Sequence, residues 1–167
     1  NTLDFRAATF TGKAIVIDGG DGNDTIFGTK AGSTIIGGRG DDKLNGEAGN
    51  DKYVVTGNYD GGWESFQGFD TYADSAGTDT ICAIGAGNVD IGLSGFNQTN
   101  GIDVIDGTGA SGQVRLLGDW KANTLDFRAA TFTGKTIVID GGDGNDTIFG
   151  TKAGSTIIGG RGDDKLN

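Results

Sequence analysis

The chemistry available to this chain is carried by aspartate. Of 23 acidic residues 21 are Asp, and the chain holds no histidine and one cysteine. Asp presents its carboxylate on a short, stiff arm that suits turns and hard cations, whereas Glu belongs to helix surfaces. Without histidine, Ser-His, Cys-His and histidine-metal chemistry lack a necessary partner. Paired carboxylates could still serve glycoside hydrolysis or calcium-assisted lyase chemistry on a polysaccharide. The Asp residues recur in tandem, however, and a catalytic site gains nothing from copying. The expected role is not enzymatic, and the expected partner of the carboxylates is a cation.

The spacing of these residues is nine. Residues 19–54 divide without a gap into four blocks that begin at Gly19, Gly28, Gly37 and Gly46. The eighth place is always large and apolar or aromatic: Ile26, Ile35, Leu44, Tyr53. The sixth is Asp24, Asp42 and Asp51, with Ser33 as the exception. Two weaker blocks, 65–73 and 74–82, keep Asp70 and Asp79 at the sixth place. In each block the last three residues read as a short strand. The first six read as a turn whose glycines tolerate positive φ and expose their carbonyls.

Calcium takes six to eight oxygens from carbonyls and carboxylates, more than one such turn supplies. If two blocks make one coil of a solenoid, turns 18 residues apart stack at the strand separation of about 4.8 Å. A cation between them can draw on both. This pairs Asp24 with Asp42 on one side. On the other, Ser33 faces Asp51, a site short of one carboxylate and expected to be weak or empty. Asp70 and Asp79 stand in glycine-poor blocks and are secondary candidates. Without the ion, stacked carboxylates repel and a thin core cannot offset chain entropy, so folding is expected to depend on calcium.

A longer period encloses the short one. Residues 1–45 return as 123–167 with one change, Ala14 to Thr136, which sets a period of 122 residues. The strong blocks reappear with Asp146 and Asp164. Such near-identity predicts a longer tandem array of which this chain shows one period and part of the next. The organisation expected for residues 1–122 is strands over 1–18, turns and short strands over 19–54, a loop over 55–64, degenerate blocks over 65–82 and plain strand coils over 83–122. The next repeat begins at 123. In the plain coils the alternating pairs Val89/Ile91, Ile102/Val104, Val114/Leu116, Leu125/Phe127 and Ile137/Ile139 predict strands at even spacing on successive sides, two to a coil.

The composition agrees. Glycine fills 34 positions, proline none, and apolar residues make up 35%. Glycine does not recur every third residue, which excludes collagen. The fold class expected is all-β, a parallel β-solenoid. A net charge of −10 repels nucleic acid and anionic membranes, and no apolar run is long enough to span a bilayer. Neither nucleic acid nor membrane insertion is expected. Cys82 lies in an apolar run and is expected to be buried and inert. Tyr59 and Trp63 break the register in a loop, and Trp120 sits in another turn; all three are expected to pack over the solenoid edge.

The pattern Gly-Gly-x-Gly-x-Asp-x-(large apolar)-x resembles the RTX calcium-binding repeat of bacterial secreted proteins. Blocks 19–27 and 37–45 match every fixed position, and 46–54 lacks only the second glycine. The whole unit is similar to the long repeats of giant RTX adhesins and biofilm-matrix proteins. The resemblance implies a β-roll passing into a calcium-free parallel β-helix, type I secretion from a Gram-negative bacterium and folding outside the cell or on its surface. It implies that the first four residues give carbonyls and the sixth a carboxylate. Carried over, the ligands are Gly19, Gly20, Asp21 and Gly22 with Asp24, and Gly37, Gly38, Arg39 and Gly40 with Asp42. In the second copy they are Gly141, Gly142, Asp143 and Gly144 with Asp146, and Gly159, Gly160, Arg161 and Gly162 with Asp164. The partners expected are calcium, neighbouring repeats and further copies of the protein in a fibre. The function expected is a structural spacer, fibre or adhesive matrix element. A carbohydrate-binding module for surface glycans, or the accessory β-roll of a secreted polysaccharide-active enzyme, is the alternative.

Overall fold

The computed structural model describes residues 1–11, 15–57 and 66–167. The expectations for Tyr59 and Trp63 lie outside the described residues. The chain runs through short strands: β1 (Thr2–Asp4), β2 (Ile15–Asp18), β3 (Thr25–Phe27), β4 (Ser33–Ile36), β5 (Lys43–Asn45) and β6 (Lys52–Val55). There follow β7 (Phe69–Ala73), β8 (Thr80–Gly85), β9 (Val89–Leu93), β10 (Val104–Ala110), β11 (Val114–Gly118) and β12 (Thr124–Asp126). The last are β13 (Thr131–Thr133), β14 (Ile137–Asp140), β15 (Thr147–Phe149), β16 (Thr156–Ile158) and β17 (Lys165–Leu166).

Every pairing among these strands is parallel. One sheet runs β1-β3-β5-β7-β9-β11-β14-β16, a second β13-β10-β8-β6-β4-β2, and a third β12-β15-β17. Successive strands of the chain alternate between sheets, so the molecule is an all-β parallel solenoid. Where glycine blocks make the turns, partners stand 18 residues apart, as in Thr25↔Lys43 and Thr34↔Lys52. Coils that include residues 58–65 take 28, as in Leu44↔Tyr72 and Tyr53↔Ile81. The turn sequence therefore sets the coil length, while the strand residue facing inward keeps its place.

The core is a stack of these inward residues. Ile17, Ile35, Tyr53, Ile81 and Ile105 form one buried ladder across the second sheet. Ile91, Leu116 and Ile139 form another across the first. Each fully buried aliphatic side chain contributes about 1.5–3 kcal/mol. Tyr53 and Tyr72 meet edge to face with ring centres 5.3 Å apart. The Tyr53 hydroxyl crosses to a turn, where it accepts the Gly46 N–H and shares its one proton between Ala73 O and Asp74 Oδ2.

Three expectations change. In the pair Ile102/Val104, Val104 is only half-buried and Ile105 is the core residue, because Ile105 aligns with Ile81 and Phe132 while Ile102 precedes the strand. The coils after β9 have three sides rather than two: Phe96 bridges Leu125 to begin the third sheet, and β13 closes the second. Cys82 is half-buried, since Ile81 and Ala83 take the inward places on β8. Burial, with the charge of Asp106 beside it, still holds its thiol above the usual range.

The three-sided coils have a consequence for the repeat. In the first copy β1, β3 and β5 lie in the first sheet and β2 and β4 in the second. The equivalent strands of the second copy are displaced by one sheet: β14 and β16 extend the first sheet, and β12, β15 and β17 make the third. Local structure is nonetheless the same. Arg6 clasps Asp4 and covers Phe27 at 4.1 Å, and Arg128 clasps Asp126 and covers Phe149 at 4.2 Å.

The second place of each strong block has a left-handed backbone, with φ of 88° at Gly20, 103° at Gly38 and 101° at Gly160. In block 46–54 the same conformation is forced on Glu47, at φ 80°. A side chain there costs roughly 1–2 kcal/mol, partly offset by the greater freedom of glycine in the unfolded chain. Glu47→Gly is expected to stabilise the calcium-loaded protein by about 0.5–1 kcal/mol, measured by urea unfolding. A loss of stability would contradict the turn geometry.

Candidate metal centre

The sixth place of each block builds a ladder. In every case one carboxylate oxygen accepts the backbone N–H of the sixth residue one coil earlier. Asp42 Oδ1 accepts Asp24 N–H at 2.8 Å and Asp70 Oδ1 accepts Asp42 N–H at 3.0 Å. Across the solenoid, Asp51 Oδ1 takes Ser33 N–H at 2.5 Å, Asp79 Oδ1 takes Asp51 N–H at 2.8 Å, and Asp103 Oδ2 takes Asp79 N–H at 2.9 Å. In the second copy Asp164 Oδ1 takes Asp146 N–H at 2.9 Å. The main-chain nitrogen of Asn1 meets Asp24 Oδ1 in the same way.

In four of these carboxylates the other oxygen is left over. Oδ2 of Asp24, Asp42, Asp51 and Asp146 is buried and has no hydrogen-bond partner. A buried anionic oxygen without a donor is costly, and native structures rarely tolerate one. Four in equivalent places mark where a cation belongs. The first-place glycines lie beside them. A side chain on Gly19 would place its first carbon 2.7 Å from Asp24 Oδ2 and 2.5 Å from Gly37 O. On Gly141 the same atom would stand within 2.5 Å of Asp146 Oδ2 and Gly159 O. Glycine at the first place keeps open a slot that brings together the carboxylate of one turn and the carbonyl of the next, a hard-oxygen set that suits calcium.

The remaining assigned residues sort by backbone and side chain. The carbonyls of Gly20 and Arg39 accept Arg39 N–H and Gly22 N–H, binding one turn to the next, and those of Gly142 and Arg161 do the same. Gly22, Gly40, Gly144 and Gly162 at the fourth place have φ between 106° and 136°, which L side chains avoid. The side chains of Asp21, Arg39, Asp143 and Arg161 face solvent as loose pairs at 3.9 and 3.8 Å. Of these four residues only the backbone belongs to the slot.

The Ser33 turn is closed in another way. The Ser33 hydroxyl accepts Thr29 N–H at 3.0 Å and meets Thr29 Oγ1 at 3.3 Å, while Thr29 Oγ1 donates to Gly32 O. The copy at Thr151 and Ser155 repeats these bonds. Two hydroxyls satisfy the turn internally. Asp51 instead looks toward Asp74 and Asp79, and oxygens of the three lie within 4.8 Å of one another. Asp74 was not legible as a ligand: it stands at the first place of its block, where the pattern asks for glycine. Its signal was the substitution itself, since a carboxylate replaces a carbonyl neighbour. Asp70 is placed differently again, with its second oxygen accepting the Tyr72 hydroxyl at 3.3 Å.

Crowded, buried carboxylates hold protons. Burial, with Asp74 and Asp79 nearby, raises Asp51 to about 7. Burial, with Asp24 nearby, raises Asp42 to about 6, and burial with Asp74 and Asp103 raises Asp79 to about 6. For an acid raised on folding, the stabilisation is full below its ordinary value and lost as pH climbs through the raised one. The calcium-free chain is therefore expected to melt at a lower temperature at pH 8 than at pH 5. Saturating calcium should remove or reverse that trend, because the ion replaces the protons. Thermal unfolding at the two pH values, with and without calcium, checks both signs. Asp42→Asn should lower the number of tightly bound ions, measured by equilibrium dialysis, whereas Ser33→Ala should lower thermal stability and leave that number unchanged.

A family model for the RTX calcium-binding nonapeptide repeat, in 4 copies, matches residues 18–53 and 140–167. These are the stretches that carry the orphaned carboxylates, apart from the three-sided coils between them. No curated protein and no solved structure matches the chain. These two stretches of the chain are RTX nonapeptide repeats, a repeat that binds calcium.

Proposed function

We propose that the chain is a calcium-stabilised structural segment of a tandem-repeat protein that works outside the cell as a fibre, spacer or adhesive matrix element. The observation that carries this reading is the junction between copies. The second copy adds its strands directly to the first copy's sheets, β14 onto β11 and β13 onto β10, so one period continues the next as a single solenoid. Each added period of 122 residues lengthens the rod without a new fold. Repeats of this family are typical of extracellular proteins, where millimolar calcium would fill the turns, and type I secretion from a Gram-negative cell would deliver the chain unfolded. Among the described residues no helix is long and apolar enough to cross a membrane. A catalytic role is not proposed, because the carboxylates belong to the turns and the chain lacks histidine.

A second reading has one observation in its favour. Trp120 is 58% exposed with its ring edge on Phe69, beside a pocket lined by Arg39 and Asp41. An exposed indole beside a mainly apolar pocket with Arg39 and Asp41 at its rim can stack on the apolar face of a sugar. Binding to surface glycans on an array, abolished by Trp120→Ala, would move the function toward a carbohydrate-binding module.

Two measurements test the structural reading. Circular dichroism should show the β spectrum collapse on chelation and return with calcium; an unchanged spectrum would remove calcium-dependent folding. Chains of two, three and four periods should lengthen by equal increments in solution scattering with calcium present. Independent beads with variable spacing would overturn the continuous rod.

A further inference from the structure

The segment that spans the start of the second copy, Gly118–Asp126, lies outside the family match and carries only fragments of the nonapeptide pattern: Gly118 at the first place and Leu125 at the eighth. It has Asp119 and Lys121 where the strong turns have glycine, and Asn123 where they have aspartate. Its geometry is nonetheless that of the strong turns. Asn123 N–H donates to Asp146 Oδ1 at 2.7 Å, as Asp24 N–H does to Asp42 Oδ1 at 2.8 Å. A first carbon on Gly118 would stand within 2.5 Å of Gly141 O and Asn123 Oδ1, the counterparts of Gly37 O and Asp24 Oδ2 around Gly19.

The decisive atom is Asn123 Oδ1. Asn123 is 5% exposed, and its side-chain oxygen is buried with no hydrogen-bond partner. The orientation of the amide is fixed, because Nδ2 donates to Asp119 Oδ1 at 2.9 Å. A carboxylate there can accept only from the NH₂ end, so the carbonyl end must face the slot. Asp119 is itself 4% exposed and is anchored by Lys121 N–H at 2.8 Å. The adjacent Asp146 Oδ2 is also buried and unpartnered.

We infer that the turns Gly118–Asn123 and Gly141–Asp146 form a further calcium site, in which Asn123 Oδ1 stands where other turns place a carboxylate and Asp119 acts as its positioning residue. The inference rests on the reading that the nonapeptide turns of this chain hold calcium in their slots. With a neutral oxygen in place of a charged one, and with Lys121 Nζ 3.4 Å from Asp119 Oδ2, this site binds more weakly than the Asp24/Asp42 slot and fills last. It also lies at the boundary between the three-sided coils and the next roll. Calcium there fastens one period to the next.

Trp120 lies within the same turn and supplies a local reporter. Terbium, a luminescent substitute for calcium, is titrated into the 167-residue protein with excitation through tryptophan. The wild type should show sensitised emission that calcium displaces. Asn123→Ala should weaken that emission's titration about tenfold and lower the bound-ion count by one. Asp119→Ala should weaken it by a similar factor, on the order of tenfold. Asn123→Asp, which keeps the residue's size, should tighten it several-fold. Trp120→Phe should remove the part of the emission that Asn123→Ala weakens and leave the ion count unchanged, and Asp42→Asn should lower the count while the response to Asn123→Ala remains. A wild type that binds no ion would overturn the calcium reading and this site with it. A wild type that binds ions, with emission and count unmoved by Asn123→Ala and Asn123→Asp, would overturn this site alone.

Discussion

The structure depends on carboxylates that are stacked, buried and half-satisfied. One oxygen of each sixth-place aspartate ties its coil to the one before through a backbone N–H, and in Asp24, Asp42, Asp51 and Asp146 the other is left facing a slot with no donor. The first half of that arrangement is a hydrogen-bond ladder that any parallel solenoid could use. The second is tolerable only with a cation. A protein with 35% apolar residues and a core one ladder deep on each side cannot absorb several such oxygens unaided. Calcium is thus part of the fold's energetics and not an accessory to it.

The turns show three solutions to one problem. The Asp24 and Asp42 turns leave oxygens for an ion. The Thr29–Ser33 turn closes on itself with two hydroxyls and needs none. The Asp51, Asp74 and Asp79 group gathers three carboxylates where the glycine of the pattern has been lost. Charge density therefore varies along the solenoid.

Much of this was legible in the sequence. The nine-residue spacing placed Asp24, Asp42 and Asp51 in turns, and the eighth-place residues Ile26, Ile35, Leu44 and Tyr53 are all in the core. Asp74 stands where the pattern has glycine, and only the stacking of the coils brings its carboxylate beside Asp51 and Asp79. The pair Ile102/Val104 suggests a strand one residue out of phase with Ile105, since period-two alternation in a short apolar run fits either phase until a neighbouring strand fixes the register; Ile102 is nonetheless buried. The third side of the coils was hidden for the same reason. Residues near Phe96 form only a bridge, and strand β13 is three residues long, too short to announce itself.

The two copies of residues 1–45 separate what sequence decides from what the fold decides. Apart from β13, both copies make equivalent strands, with the same left-handed glycines in their turns, the same Arg–Asp clasp over a phenylalanine and the same hydroxyl-closed turn. Those features arise from contacts within one coil or between adjacent coils, which the local sequence carries with it. The sheet that each strand joins differs between the copies, although the sequence is almost identical. That assignment depends on how many sides the intervening coils have, and the bridge from Phe96 to Leu125 adds the third side. Local sequence fixed the turns and their appetite for calcium; only the accumulated stacking of coils decided which way each turn faces.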